Sequence, residues 1–430
     1  MAQPQQEQEL VFAKVAKRLI PFIMVLYVTN YLDRVNVGFA ALTMNRDLGF
    51  SATVYGFAAS IFFVSYALFQ IPATVILERV GARRTVFAIM AAWGACSAAN
   101  AFITEPMGFY ALRFLLGVAE AGFFPGIILY LTFWFPKEYR ARFTATFMMA
   151  IPFSSVFGSP LSGLILGMDG IAGLRGWQWL FLIEGLPACL LAFAVLKFLP
   201  DGPKDADFLS EAEKQTIATR LARERSPAPS SVLAGLYDPR VLLLGLVGTG
   251  IGASIFGSQL WLPQIVKAMG YTNLITTCIA ALPYAAAIPT MIFVGRSSDR
   301  NGERIWHNIL PLAMSGSGFI IAAMAPNHYI AVGGLIMVVA GLIGTYGPYY
   351  SLASSFFSGP AAPSSIALVN LMCTGLGGFI GPNVLGYLKD RTGGYEAGMY
   401  TLSAGLVCSI ILLLVLGRVM TARQARLAGA

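Results

Sequence analysis

The chain has 430 residues, 57% of them hydrophobic and only 12% charged, with a mean hydropathy of +0.69. This excludes an ordinary soluble domain, in which about 25% of residues are charged. The net charge of +8 would suggest nucleic acid as a partner in a soluble chain; here its placement follows membrane topology, and no nucleic-acid partner is expected. The cysteines at 96, 189, 278, 373 and 408 lie far apart in apolar stretches without CxxC spacing, so they read as small core residues. His307 and His328 have no ligand-spaced partner, and neither a metal site nor a cofactor is expected.

The Gln-rich stretch Met1–Leu10 reads as a frayed tail. Twelve apolar runs follow, at about 19–42, 52–77, 85–104, 107–135, 141–168, 177–199, 241–267, 272–294, 307–325, 328–357, 363–388 and 397–418. A span of ~20 apolar residues crosses a bilayer, and lipid offers no hydrogen-bond partner, so each must be helical or part of a closed barrel. Their length and lack of two-residue alternation exclude the barrel. The first run is too long for a signal peptide and no small-x-small site follows it, so it is expected to be retained. The expectation is an all-α integral membrane protein.

The first run contains Asn30-Tyr31-Leu32-Asp33-Arg34, an acid beside a base near mid-span. A charge there costs ~2.5–3.5 kcal/mol on insertion scales. Adjacent helix residues point about 100° apart, so Asp33 and Arg34 cannot serve one partner on one face. They either line a wet cavity between helices or snorkel to water. Span 4 carries Arg113 and Glu120, about 10.5 Å apart along the axis, which is too far for direct pairing. Glu184, eight residues into span 6, reads as structural or as part of an outer gate.

The polar break Pro200–Pro239 divides the chain into 1–199, a linker at 200–240, and 241–430. Ser210 and Glu213 form a capping box, Ile217 and Leu221 follow at helical spacing, and Pro227 and Pro229 stop the helix. A short amphipathic helix is predicted, lying on the membrane surface or solvated. With both termini inside, 22 of the 29 Lys and Arg fall in inner segments. The outer loops hold five, at Arg46, Arg175, Lys267, Lys389 and Arg391, a bias that places both termini in the cytoplasm. The inner loop between spans 10 and 11 carries none.

The halves repeat. Thr74-x-x-x-Glu78-Arg79-x-Gly81-x-Arg83-Arg84 follows span 2, and Gly295-x-x-x-Asp299-Arg300-x-Gly302-x-Arg304 follows span 8. Two such turns at corresponding places indicate duplication, the architecture of a carrier that rocks two halves about a central site. From Val241 to Phe357 the spans hold no acid or base away from their ends. They offer Ser258, Gln259, Trp261, Tyr284, Tyr346, Tyr349 and Tyr350 instead, with Asn370 in span 11. Such groups bind hydroxyls or stack a ring without adding charge, although each Tyr or Trp could equally be an interface anchor. The chain shows no nucleophile–base set or phosphate loop, so an enzyme is not expected.

Over essentially the whole chain these residues resemble the major facilitator superfamily, through the paired loops, with Thr74 standing where that family usually has Gly. Four further stretches are similar to its anion:cation symporter family: Tyr31-Leu32-Asp33-Arg34-Val35-Asn36; Arg113-Phe114-x-x-Gly117-x-x-Glu120-Ala121 with Pro125-Gly126; Trp134-Phe135-Pro136 with Arg140 and Arg142; and Gly176-Trp177-Gln178-Trp179-Leu180-Phe181-x-x-Glu184-Gly185. The resemblance implies twelve transmembrane helices in two pseudo-symmetric six-helix halves, acting as a single chain in the inner membrane. It also implies proton-coupled symport of a small organic anion such as tartrate, a sugar acid or an aromatic acid, with an exchanger or exporter as the alternative. Arg34 would then take the substrate carboxylate, for which its planar fork is suited, unless it is a structural partner of Asp33 or Glu120. Asp33 and Glu120 would couple protons, unless either is a permanent salt-bridge partner; from the residues alone, Arg113 could neutralise one or the other in turn or be a fixed helix-packing charge. Tyr31 and Tyr66 would join Gln259, Tyr349, Tyr350 and Asn370 around the substrate. Glu78, Arg79, Asp299 and Arg300 would gate by pairing across the halves.

Overall fold

The computed structural model describes residues 2–222, 238–355 and 362–428. The expected stops Pro227 and Pro229, with Arg223 and Arg225, lie outside them, as do residues 356–361, where span 10 is expected to end. No strand occurs among the described residues. Among the described residues, ten helices are long and apolar enough to cross a membrane. The remaining two of the twelve are Ala2–Leu48 (span 1), which carries Asp33 and Arg34 within it, and the 17-residue apolar helix Ala150–Leu166. Large apolar side chains face outward, Leu190 at 71%, Phe193 at 65% and Phe293 at 73% exposure, the reverse of a soluble surface.

Several helices differ from their predicted limits. The tail is not frayed: span 1 is helical from Ala2, and Phe12, Val15 and Leu19 are buried at helical spacing. Phe12 packs its ring 5.0 Å from that of Tyr139. Span 4 is two helices, Pro106–Glu120 and Phe123–Trp134, and span 5 is Lys137–Met148 followed by Ala150–Leu166. Span 10 breaks at Thr345, between His328–Gly344 and Tyr346–Ser355. Span 11 runs Ala362–Asn370, a π-helix Leu371–Gly377, then Gly378–Thr392. The other spans are Ala52–Val80 (2), Ala82–Ala99 (3), Gly176–Phe198 (6), Pro239–Lys267 (7), Asn273–Asn301 (8), Trp306–Met324 (9) and Glu396–Ala428 (12).

The linker helix is Glu211–Ala222, and the capping box is present. Glu213 N–H donates to Ser210 Oγ at 3.3 Å, and Ser210 N–H to Glu213 Oε2 at 2.7 Å. The helix docks on the first six spans through Lys14 Nζ–Glu213 Oε1 at 2.8 Å and Arg220 Nη2–Glu138 Oε1 at 3.1 Å. Ile217 is fully buried and Phe208 stacks on Trp134. Hydrogen bonds from Lys14 and Ser210 hold the Glu213 carboxyl below its ordinary range.

The face opposite the termini, the far face, is closed where spans 1 and 2 meet spans 7 and 11. A Cβ at Gly38 would lie 3.1 Å from the Leu260 carbonyl oxygen, and one at Gly56 2.7 Å from that of Pro382. Within the front half the same device joins spans 3 and 6. A Cβ at Gly94 would lie 2.8 Å from both Cys189 Sγ and the Gly185 carbonyl oxygen. Backbone cannot yield there as a flexible side chain can, so Gly94→Val should destabilise the fold by about 1–3 kcal/mol. A thermal melt in detergent that matched the wild type would contradict this packing.

Candidate functional site

Span 1 turns its two charges to different neighbours. Asp33 is fully buried and accepts hydrogen bonds from Asn36 Nδ2 at 2.8 Å and from Ser97 Oγ of span 3. Arg34 faces span 4, its Nη2 and Nε reaching Glu120 Oε2 at 2.8 and 3.2 Å. The side chain of Arg34 is 11% exposed and that of Glu120 is fully covered. The Arg34 guanidinium also lies 4.8 Å from the Tyr66 ring centre and 5.6 Å from that of Phe62, a favourable placement for a desolvated cation.

Local backbone chemistry brings these groups together. Gly117, one turn before Glu120, lets span 4 touch span 2, because a Cβ there would overlap the Phe62 carbonyl. At Gly122 a Cβ would come within 2.6 Å of Ala73 Cβ. Glu120 is the last residue of its helical segment, so the break at Ala121–Gly122 lies beside the ion pair. Arg113 also lies over the Phe62 ring, 4.8 Å from its centre, and among the described residues Glu120 pairs with Arg34 rather than with Arg113. Its Nε and Nη2, together with Glu120 Oε1 and Asp33 Oδ2, are buried without a protein partner. Buried polar groups of this kind are commonly met by water.

The two halves meet around this cluster. Tyr31 Oη accepts a hydrogen bond from Gln259 Nε2 of span 7 at 2.8 Å. Asn370 Oδ1 accepts from Tyr350 Oη at 3.0 Å, and its Nδ2 donates to Gln70 Oε1 of span 2 at 3.4 Å. The π-helix of span 11 starts at the next residue, and such segments occur often at functional sites. Two voids of about 10 Å³ each flank Gln259, and Tyr284 lines both. Each has room for a single water.

Other candidates lie apart. Tyr349 Oη donates to the Leu244 carbonyl at 3.1 Å, fastening span 10 to span 7 rather than reaching Asn370. Glu184 is buried in the front half and accepts from Ser162 Oγ at 2.8 Å. Glu78, Arg79, Asp299 and Arg300 are exposed at the face bearing the termini. Asp299 pairs with Arg304 of its own loop at 2.8 Å, and no ion pair joins the two loops among the described residues. Ser97, Phe62 and Gln70 were not singled out from the sequence. Only Gln70 carried a signal, as a lone amide in an apolar span. No cluster of three potential metal ligands occurs among the described residues.

The family model described as Major Facilitator Superfamily matches residues 23–382. The chain belongs to that superfamily. It is 46% identical over 411 residues to a protein of Agrobacterium vitis named "Putative tartrate transporter", covering 95% of this chain and 91% of the relative. The inner membrane transport protein RhmT of Escherichia coli is 35% identical over 405 residues, with 93% of each chain covered. Among solved structures, a bacterial homologue of the human lysosomal transporter Spinster, in an inward-facing and occupied conformation, superposes with a TM-score of 0.78. It shares 15% identity, and the match covers 93% of this chain and 96% of that one. Family and relatives make this protein a transporter of small organic substrates and not an enzyme.

The Tyr31–Gln259 bond can be tested by a double-mutant cycle. Tyr31→Phe or Gln259→Leu alone leaves one buried polar group unpartnered, costing about 1–3 kcal/mol of stability. Combining them should recover about 1 kcal/mol or more. Strictly additive losses in detergent melts would show that the two side chains do not interact.

Proposed function

We propose that the protein is a proton-coupled symporter that takes up a small organic carboxylate across a cytoplasmic membrane, with both termini inside. One observation supports this most directly: the Arg34 guanidinium, 11% exposed, bonds the fully covered Glu120 carboxylate inside the front half, next to the Tyr31–Gln259 contact that joins the halves. A substrate carboxylate and Glu120 compete for the same planar fork. When the substrate takes Arg34, Glu120 is left as an uncompensated buried charge, which costs several kcal/mol, and a proton neutralises it. Anion and proton then load together, and the cluster keeps its charge balance as the halves rock. Asp33, held by Asn36 and Ser97, is the second proton site, and Arg113 balances the two carboxyls between steps.

In this reading Tyr31, Tyr66, Gln259, Tyr350 and Asn370 surround the substrate, and their hydroxyl and amide groups suit a hydroxylated acid. The tartrate in the names of the Agrobacterium relatives belongs to that class. Residues 1–199 and 241–430 are the moving halves, joined by 200–240. The closed far face and exposed inner loops correspond to the state open toward the cytoplasm, and Glu78–Arg79 meets Asp299–Arg300 in the opposite one.

Purified protein in liposomes with an imposed pH gradient, offered a panel of carboxylates, tests the proposal. Arg34→Ala should abolish substrate binding. Glu120→Gln should keep binding and counterflow but lose proton-driven accumulation. Retained affinity in Arg34→Ala, or gradient-driven uptake by Glu120→Gln, would contradict the assignment.

A further inference from the structure

One ionised side chain takes part in the closed seam at the far face. Asp390, near the end of span 11, accepts hydrogen bonds from two backbone amides at the start of span 2. Ala52 N–H reaches Oδ1 at 3.1 Å and Thr53 N–H reaches Oδ2 at 2.7 Å. These are the first two residues of the helix Ala52–Val80, whose opening amides have no partner within the helix and carry its partial positive charge. Ser51 Oγ takes the next amide, that of Val54, at 3.2 Å. A carboxylate from the back half thus completes the cap of a front-half helix with charge-assisted bonds.

The rest of the seam is neutral. Tyr55 Oη donates to the Leu260 carbonyl at 2.9 Å across it and Gly56 packs against Pro382 and Gly386, while Trp261 Nε1 holds the Pro382 carbonyl at 3.0 Å within the back half. Charged groups around Asp390 are engaged elsewhere. Lys389 Nζ lies 2.5 Å from the Gly393 carbonyl and 4.4 Å from the Tyr395 ring centre. Arg391 lies over the Tyr387 ring, and Arg46 pairs with Asp47.

We propose that Asp390 is the far-face latch of the transport cycle: seated on the start of span 2, it favours the state closed at that face, and every opening toward the far side must break it. It is a positioning residue, which touches no substrate and acts by setting the populations of two states. The inference rests on membership of the transporter family alone, so failure of the carboxylate or proton reading leaves it standing.

The test uses the full-length protein without substrate, spin-labelled at Arg46→Cys and Ala268→Cys, two exposed far-face positions on opposite halves, in a cysteine-depleted background. Pulsed dipolar spectroscopy reads the ratio of near to far distances. Asp390→Ala should shift that ratio about tenfold toward the open far face. Asp390→Asn, which keeps one acceptor, should shift it less. Ala52→Pro removes one donor at a helix position that tolerates proline, after a residue already extended at φ −71° and ψ 166°. It should move the ratio in the same direction and decides the matter if the Asp390 variants do not fold. Distance distributions matching the wild type, or shifted toward closure, would overturn the proposal.

Discussion

The ion pair between Arg34 and Glu120 is the constraint from which the rest of the molecule follows. Two charges placed inside a bundle of membrane-spanning helices lose much of their hydration, and only a close partner with further contacts makes that tolerable. The protein supplies both. Tyr66 and Phe62 offer ring faces to the guanidinium, and Gly117 and Gly122 bring span 4 close enough to span 2 for the pair to form. A pair so placed is worth little as a stabiliser, because apolar residues of similar volume generally do as well. Its presence makes sense where one member must change partner.

Around this pair the halves are unequal in chemistry. Asp33, Arg34, Arg113, Glu120 and Glu184 all belong to the first six spans. Opposite them stand Gln259, Tyr284, Tyr346, Tyr350 and Asn370, which donate and accept hydrogen bonds without charge. Breaks in regular helix sit at the same level: Glu120 ends a helical segment, Thr345 interrupts span 10, and the π-helix follows Asn370. Non-helical backbone at membrane depth is tolerated only where protein or water can satisfy it. These departures therefore mark the interior of a carrier rather than its lipid face.

Much of this was legible in the sequence, because lipid enforces one kind of element. Span number, the paired loops and the linker helix with its Ser210–Glu213 cap follow from hydropathy and spacing. So does the divergence of Asp33 and Arg34 onto separate partners, which needs only the helix repeat. The breaks in spans 4, 5, 10 and 11 were not legible, since a Gly, Met or Thr in an apolar run looks the same whether or not the helix is interrupted there. The helical tail was misread because its Gln-rich start hides the spacing of Phe12, Val15 and Leu19. Partners supplied by another helix were hidden too: nothing local distinguishes Ser97, which bonds Asp33, from serines such as Ser154 that bond their own helix.

The proposed competition between substrate and Glu120 for one guanidinium would have a direct thermodynamic signature, readable without any transport. Calorimetric titration of the purified protein with a bound carboxylate, repeated in buffers of different ionisation enthalpy at neutral pH, counts the protons exchanged on binding. The account predicts net proton uptake on binding by the wild type and its loss in Glu120→Gln. Binding with the same enthalpy in every buffer, and so with no proton exchanged, would contradict it.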